Sequence, residues 1–270
     1  MPDNLNEVYA SIDRVHANES ASTRRQLIAG TTMVLGATGM LALAETADAQ
    51  IDEDTPNTPE NILTVAATAE VLATIVNTVG SEAGILDAVT QRNVEAAARH
   101  EVIHYDTLVS DALGGRPVTK RIWVPDMVFA NQENLLNTLA VGDQIFVNAY
   151  LLGTTVFARP TSSQGLNNSR LARIAAEFMG VEMVHRALAL QSLGLLGNDR
   201  AYAKFNQQEP APVANQGAFG FRNILTAVEQ LQEAGFGFDA EGATPGQFYE
   251  YDEVSPRTPD PEAVNVRMPA

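Results

Sequence analysis

Apolar side chains recur at helical spacing in four long stretches of this chain, and the patterns predict an all-α fold. Thr58-Pro59-Glu60 has the residue types of a helix start, with a cap, a proline and an acid in the first turn. The four predicted helices run from about Pro59 to Val79, from the turn Gly80-Ser81-Glu82 to about Leu113, from about Glu133 to Phe157, and from about Arg170 to Leu193.

Residues 116–132 have no helical period and predict an extended connection that could reach over about 40 Å, at roughly 3.3 Å per residue. A crossover of that length would make the second and third helices parallel, as in four-helix bundles that contain one long connection. We therefore predict a bundle over residues 58–193. Residues 194–270 would add a short fifth helix, about 221–234, and an irregular acidic tail.

Two of the predicted helices are almost free of charge, and each contains one acid. Glu70 is the only ionisable residue between Glu60 and Glu82, and Asp143 is the only charged residue between Glu133 and Arg159. A carboxylate in such apolar surroundings is costly unless it is paired or binds a metal. Alternatively, Glu70 bonds to a threonine and Asp143 is a capped or hydrated polar residue of the core.

The other two helices each contain the spacing Glu-x-x-His, at Glu101–His104 and again at Glu182–His185. Residues three apart lie about 60° apart on one helix face, so each pair can offer an oxygen and a nitrogen to one point. A single such pair is common on helix surfaces. The order of acid, pair, acid, pair, with one set in each helix, predicts a dinuclear metal site with six ligands, Glu70, Glu101, His104, Asp143, Glu182 and His185.

Carboxylates can neutralise and bridge two divalent cations, and carboxylate and imidazole ligands suit iron or manganese. We expect two iron ions, or manganese, and no catalytic group beyond the metal ligands. His100 is a candidate partner of a ligand or an alternative ligand. Glu177 is expected to be a solvated charge, and Tyr105 and Tyr150 are expected to be core aromatics, with hydrogen bonding to the site as the alternative.

The N-terminal segment resembles a twin-arginine export signal. Arg24-Arg25 precedes an apolar run that continues to Leu43, and Ala47-Asp48-Ala49 has the small-x-small pattern of a cleavage site. We therefore predict that residues 1–49 are a signal peptide and that the mature protein is periplasmic, envelope-associated or extracellular. An uncleaved membrane anchor is the alternative. The twin-arginine translocation machinery would be a partner during export.

The formal net charge of −16 argues against nucleic acid or an anionic membrane surface as a partner, because both require many lysines and arginines. The chain contains no cysteine, which excludes disulfides, thiolate metal sites and iron–sulfur clusters. The expected partners are metal ions and small oxygen species. The sequence leaves open a homodimer.

Three segments together resemble the ferritin-like superfamily, in particular the exported bacterial ferritin-like domain proteins related to plant desiccation-related proteins. They are His100-Glu101-Val102-Ile103-His104, followed by Leu108 and Leu113-Gly114-Gly115, then Val147-Asn148-Ala149-Tyr150 and Glu182-Met183-Val184-His185. The resemblance implies a di-iron or di-manganese centre and an activity of the ferroxidase, peroxide-handling, oxygenase or manganese catalase type. One departure is Asp143, which stands where the third helix of such proteins usually supplies glutamate.

The leading hypothesis is therefore redox chemistry on oxygen or peroxide, or the oxidation of iron, at a dinuclear site. The alternative is a stress-related or envelope binding protein of the same fold without metal turnover. In that case the buried acids and histidines would pair with one another.

Overall fold

The computed structural model describes residues 56–159, 168–204 and 218–261. The predicted signal peptide, residues 1–49, lies outside these ranges. The prediction of an all-α fold is confirmed only in part, because within the described residues the fold is mostly helical and includes a small sheet. Its α-helices are α1 (Pro59–Glu82), α2 (Ala88–Leu108), α3 (Gln132–Phe157), α4 (Asn168–Ser192), α5 (Leu225–Glu233) and α6 (Tyr251–Val254).

Side-chain caps fix where three of the long helices begin. Thr58 accepts a hydrogen bond from the Asn61 amide at the start of α1, and Asp87 accepts from Val89 and Thr90 at the start of α2. Asn131 accepts from the Asn134 amide at the start of α3. These caps satisfy amide groups that have no partner inside the helix.

The four long helices pack in pairs, α1 on α2 and α3 on α4, and the pairs meet through contacts of α1 with α3 and of α2 with α4. Nearly every residue of α1 from Asn61 to Ser81 is buried, so this helix is surrounded by other elements. By length and composition, α1 and α3 could each cross a membrane, with mean hydropathies of 1.7 and 1.2. Their most apolar windows are 94% and 72% buried inside the fold, as in core helices.

The predicted turn at residues 80–82 is wrong, because α1 continues through Glu82. Gly80 instead allows α1 to pack closely against α3. A Cβ atom at this position would lie 2.7 Å from a methyl carbon of Leu135 on α3, so the glycine lets the two helices approach closely. The second helix ends at Leu108, earlier than the predicted Leu113, and the Gly115 amide donates to the Leu108 carbonyl at 2.9 Å.

The connection between α2 and α3 contains β1 (Arg121–Pro125) and a 3-10 turn (Asp126–Phe129). The Val118 amide donates to the Thr68 hydroxyl at 2.9 Å, which attaches this segment to α1. Strand β1 is the middle strand of an antiparallel sheet, between β4 (Gly237–Phe238) and β5 (Gly246–Glu250). Trp123 is paired with Gly237 on one side and with Phe248 on the other. Two further strands, β2 (Ala203–Lys204) and β3 (Ala218–Phe219), pair in parallel.

The prediction of an irregular tail after Gly235 is wrong through residue 261, because this part contributes β4, β5, α6 and a 3-10 turn (Ser255–Arg257). Its glycines permit close strand pairing. A Cβ at Gly246 would lie 2.3 Å from the Val124 carbonyl oxygen, so only glycine fits against β1 there. The fifth helix, α5, is shorter than predicted and begins at Leu225, after the Ile224 amide has bonded to the Asn57 side chain.

Candidate metal centre

The six candidate ligands converge in the interior from the four long helices. Glu70 lies on α1, Glu101 and His104 on α2, Asp143 on α3, and Glu182 and His185 on α4. All six are buried, with exposures of 0% for the three glutamates and at most 8% for the others. The helical periodicity accounts for this placement, because each Glu-x-x-His pair lies on the face that its helix turns inward.

The side chains form two overlapping groups. One group contains Glu70, Glu101, His104 and Glu182, and the other contains Glu101, Asp143, Glu182 and His185; within each group one ligand atom from every residue lies within 4.8 Å of the others. Glu101 and Glu182 belong to both groups. The remaining four residues divide into Glu70 with His104 on one side and Asp143 with His185 on the other.

The two shared glutamates each direct one oxygen to either histidine. Glu101 Oε2 lies 3.3 Å from His104 Nδ1, and Glu101 Oε1 lies 3.1 Å from His185 Nδ1. Glu182 Oε1 lies 3.1 Å from His104 Nδ1, and Glu182 Oε2 lies 3.3 Å from His185 Nδ1. Each histidine therefore presents Nδ1 to both shared carboxylates.

Several buried oxygens of the cluster accept no hydrogen bond from any residue that the structure describes. These atoms are Glu70 Oε2, both oxygens of Glu101, Asp143 Oδ2 and Glu182 Oε1. Buried carboxylate oxygens are normally satisfied by donors or by cations. Their concentration around one point indicates a site that could hold a metal ion.

Burial dominates the ionisation of the two unshared acids. It raises the pKa of Glu70 to about 8, against the opposing effect of His104. Burial also raises the pKa of Asp143 well above its usual range, Glu182 adds to this shift, and His185 and Arg186 oppose it. Each of these acids is easier to ionise when a cation is present.

The pKa values of the shared glutamate Glu101 and of the two histidines shift in the directions expected of ion partners. Burial alone would raise the pKa of Glu101, but His185 and His104 outweigh it and hold the pKa below its usual range. Burial alone would lower the pKa values of His104 and His185, but the carboxylates raise both well above 6.5. Without a cation, the imidazoles supply the positive charge that the carboxylates require.

Two neighbours anticipated from the sequence contact the ligands without joining the cluster. His100 Nδ1 lies 2.9 Å from His185 Nε2, and the two rings stack. Tyr150 donates a hydrogen bond to Glu70 Oε1, so this tyrosine bonds to the site and is not merely a core aromatic.

Tyr105 packs against Tyr251 instead, with 4.4 Å between ring centroids. Glu177 is exposed and its nearest oxygen lies 3.9 Å from Arg173, which confirms it as a solvated charge.

Two residues of the site were missed by sequence reasoning. Arg186 is completely buried and lies close enough to lower the pKa of Asp143. Phe178 stacks on His104, with 4.0 Å between ring centroids. Both stand four residues from Glu182, so the same helical spacing that connects the ligands could have indicated them.

No protein-family model, curated protein or solved structure matches this chain.

Proposed function

We propose that this protein is an exported ferritin-like four-helix bundle with a dinuclear iron or manganese carboxylate centre. Its function would be redox chemistry on oxygen or peroxide, or the oxidation of ferrous iron. The pairing of α1 with α2 and α3 with α4, with contacts between the pairs, supports the bundle. Support for export comes from the Arg24-Arg25 segment of the sequence alone.

The shared position of Glu101 and Glu182 is the observation that carries the metal proposal. A carboxylate that turns one oxygen to each of two imidazoles is placed to bridge two cations, one beside each imidazole. Glu70 and His104 would complete one position, and Asp143 and His185 would complete the other. A buried cluster that served only to neutralise charge would not require this division into two halves.

The donor set fits two divalent cations. Four carboxylates supply up to four negative charges, and the unpartnered oxygens of Glu70, Glu101, Asp143 and Glu182 are available as ligands. Oxygen and imidazole donors suit iron and manganese, and neither metal requires a sulfur ligand. Arg186 supplies one positive charge beside Asp143, which makes the second position the less favourable for a cation.

When bound, such a centre supplies changes of metal oxidation state and open coordination positions for oxygen species. The protein residues position the carboxylates, exclude bulk water and maintain the ligand tautomers. Tyr150 orients Glu70, and His100 contacts the ring nitrogen of His185 that faces away from the shared glutamates. Such outer contacts fix the direction of a ligand.

The test is the metal content of protein prepared through its native export route. We expect iron plus manganese near two equivalents, and less than about half an equivalent would overturn the proposal, since metal binding displaces the protons of its ligands and should persist at neutral pH. His104→Ala and His185→Ala should each abolish uptake at one position. Loaded protein should then be assayed for ferrous iron oxidation and for oxygen evolution from peroxide, which distinguishes the ferroxidase-like from the catalase-like activity.

A non-catalytic role is the second candidate. The proximity of His104 Nδ1 to three carboxylates, at 3.1 to 3.5 Å, would also permit the acids and histidines to pair without a metal. In that case the alanine variants should change the stability of the protein and leave its metal content at background.

A further inference from the structure

A cleft of about 310 Å³, its open mouth included, adjoins the cluster. All four long helices line it. Asp143 and His185 belong to its lining, whereas Glu70 and His104 do not. The cleft therefore adjoins the Asp143–His185 half of the candidate metal centre.

Asn77 also lines this cleft and offers it a polar atom. The side chain is 2% exposed, and its Nδ2 donates to the Ala73 carbonyl at 3.1 Å. Because a carbonyl can only accept, this contact fixes the orientation of the amide and leaves Oδ1 as the acceptor. Oδ1 accepts no hydrogen bond from the residues described, and neither does Asp143 Oδ2. Asp143 Oδ2 is a candidate metal ligand, so Asn77 Oδ1 is the acceptor that calls for a separate ligand that donates a hydrogen bond.

The walls of the cleft limit the size and charge of that ligand. Leu136, Leu139 and Ala189 are among the wall residues and are at most 7% exposed, so the inner part admits only a molecule of a few heavy atoms. Asn93 and Ser192 stand half-buried among the lining residues and provide polar groups. Apart from His185, the lining contains no residue that could carry positive charge, and its apolar walls make the burial of an anion costly.

We propose that the cleft is a binding site for a small uncharged hydrogen-bond donor of the class of hydrogen peroxide. Asn77 Oδ1 holds the molecule beside the Asp143–His185 half of the cluster. Its role as the substrate site rests on the proposed function, but the binding itself requires only the folded chain. Asn77 is thus a binding and positioning residue, and it lies about two helical turns from Glu70 on α1.

Binding can be measured by NMR on the purified protein with ¹³C-labelled alanine methyl groups. Ala97 and Ala189 line the cleft, while Ala67 and Ala140 are buried elsewhere and serve as internal controls. The probes are hydrogen peroxide and methanol as uncharged donors and formate as an anion of similar size. Hydrogen peroxide and methanol should shift the Ala97 and Ala189 signals with saturation and leave the two controls in place. Formate should produce no saturable shift.

Asn77→Leu should weaken the binding of hydrogen peroxide and methanol roughly tenfold, as expected for one lost hydrogen bond. If this variant does not fold, Ala97→Val fills the cleft from α2 and should weaken binding without removing a polar group. The proposal is overturned if the wild-type signals do not respond to hydrogen peroxide, if formate binds as tightly as methanol, or if both variants bind like wild type.

The titration is made on metal-free protein and on zinc-loaded protein, with zinc content measured in the same samples. Zinc does not change oxidation state, so peroxide is not consumed at the site. Saturable peroxide binding by protein that takes up no zinc when zinc is supplied would contradict the proposed dinuclear centre and leave the cleft proposal standing. Full metal content without peroxide binding would overturn the cleft proposal and leave the proposed dinuclear centre standing.

Discussion

Glu101 and Glu182 face the same two histidines from neighbouring helices, and each directs one oxygen to His104 and the other to His185. The four distances lie between 3.1 and 3.3 Å. We therefore expect substitution of either glutamate to reduce metal binding more than substitution of any other candidate ligand. The loss of either one removes a donor from both halves of the cluster.

Glu182→Gln should therefore reduce total bound iron plus manganese to below about half of the wild-type content, since a neutral amide cannot offset the charge of two cations. Glu177→Gln is the matched control on the same helix, because Glu177 is exposed and separate from the cluster. It should retain wild-type metal content. Equal metal content in the two variants, measured by mass spectrometry, would contradict a shared role for Glu182.

Asp143→Ala should lower the metal content to about one equivalent without abolishing it. The group formed by Glu70, Glu101, His104 and Glu182 does not include Asp143, so one position keeps all its donors. A manganese titration followed by calorimetry should show one remaining binding step. Two unchanged steps would mean that Asp143 is not a ligand, and none would mean that the two positions do not bind independently.

The stability of the metal-free protein should fall as pH rises. Glu70 has a pKa raised from 4.5 to about 8 by burial, so its contribution is present below pH 4.5 and is lost as pH rises through 8. The raised pKa values of His104 and His185 act in the same direction, with contributions that are complete below pH 6.5 and lost at higher pH. Glu101 opposes them only in acid, because its lowered pKa makes its contribution disappear as pH falls below 4.5.

Thermal unfolding between pH 6.5 and 9 measures this effect. Chelator-treated protein should lose Tm as pH rises across this range, whereas metal-loaded protein should not, because metal binding requires the deprotonated carboxylates. The difference in Tm between the two forms should therefore widen. A metal-free Tm that is constant or increases with pH would show that the cluster is not held together by protonated groups.

Tyr150→Phe should destabilise the metal-free protein by about 1–3 kcal/mol, because it removes the hydrogen-bond donor to the fully buried carboxyl group of Glu70. Tyr202→Phe is the control, since Tyr202 is 59% exposed, and it should change the free energy of unfolding by less than about 0.5 kcal/mol. Urea unfolding at neutral pH compares the two. Equal effects would mean that the Tyr150 hydroxyl does not support Glu70.

Ile122→Ala should cost about 2–5 kcal/mol of stability, as for other large-to-small changes in a core. Ile122 is completely buried in β1, where it pairs with Phe238 and Tyr249. Met127→Ala, five residues further on and 59% exposed, should be nearly neutral in the same unfolding experiment. A neutral Ile122→Ala would argue against the small sheet as the anchor of the connection between α2 and α3.

The helices were predictable where local chemistry decides them. Thr58 and Pro59 mark the start of α1, and the end of α3 at Phe157 agrees with the apolar pattern. The turn at Gly80 and the irregular tail were wrong for one physical reason. Glycine weakens regular structure on its own, but here it allows close contact with Leu135 and with the backbone of β1, and those partners are distant in sequence.

The sequence by itself determined which residues could form the site, because helical spacing places Glu101 with His104 and Glu182 with His185 on single faces whatever the helices pack against. Only the tertiary structure decided which oxygens face which nitrogens, that Arg186 lies near Asp143, that Phe178 stacks on His104, and that a cleft is lined by Asp143 and His185. These properties depend on how the helices are oriented about their axes and on the side chains between them. Local spacing along one helix contains no information about either.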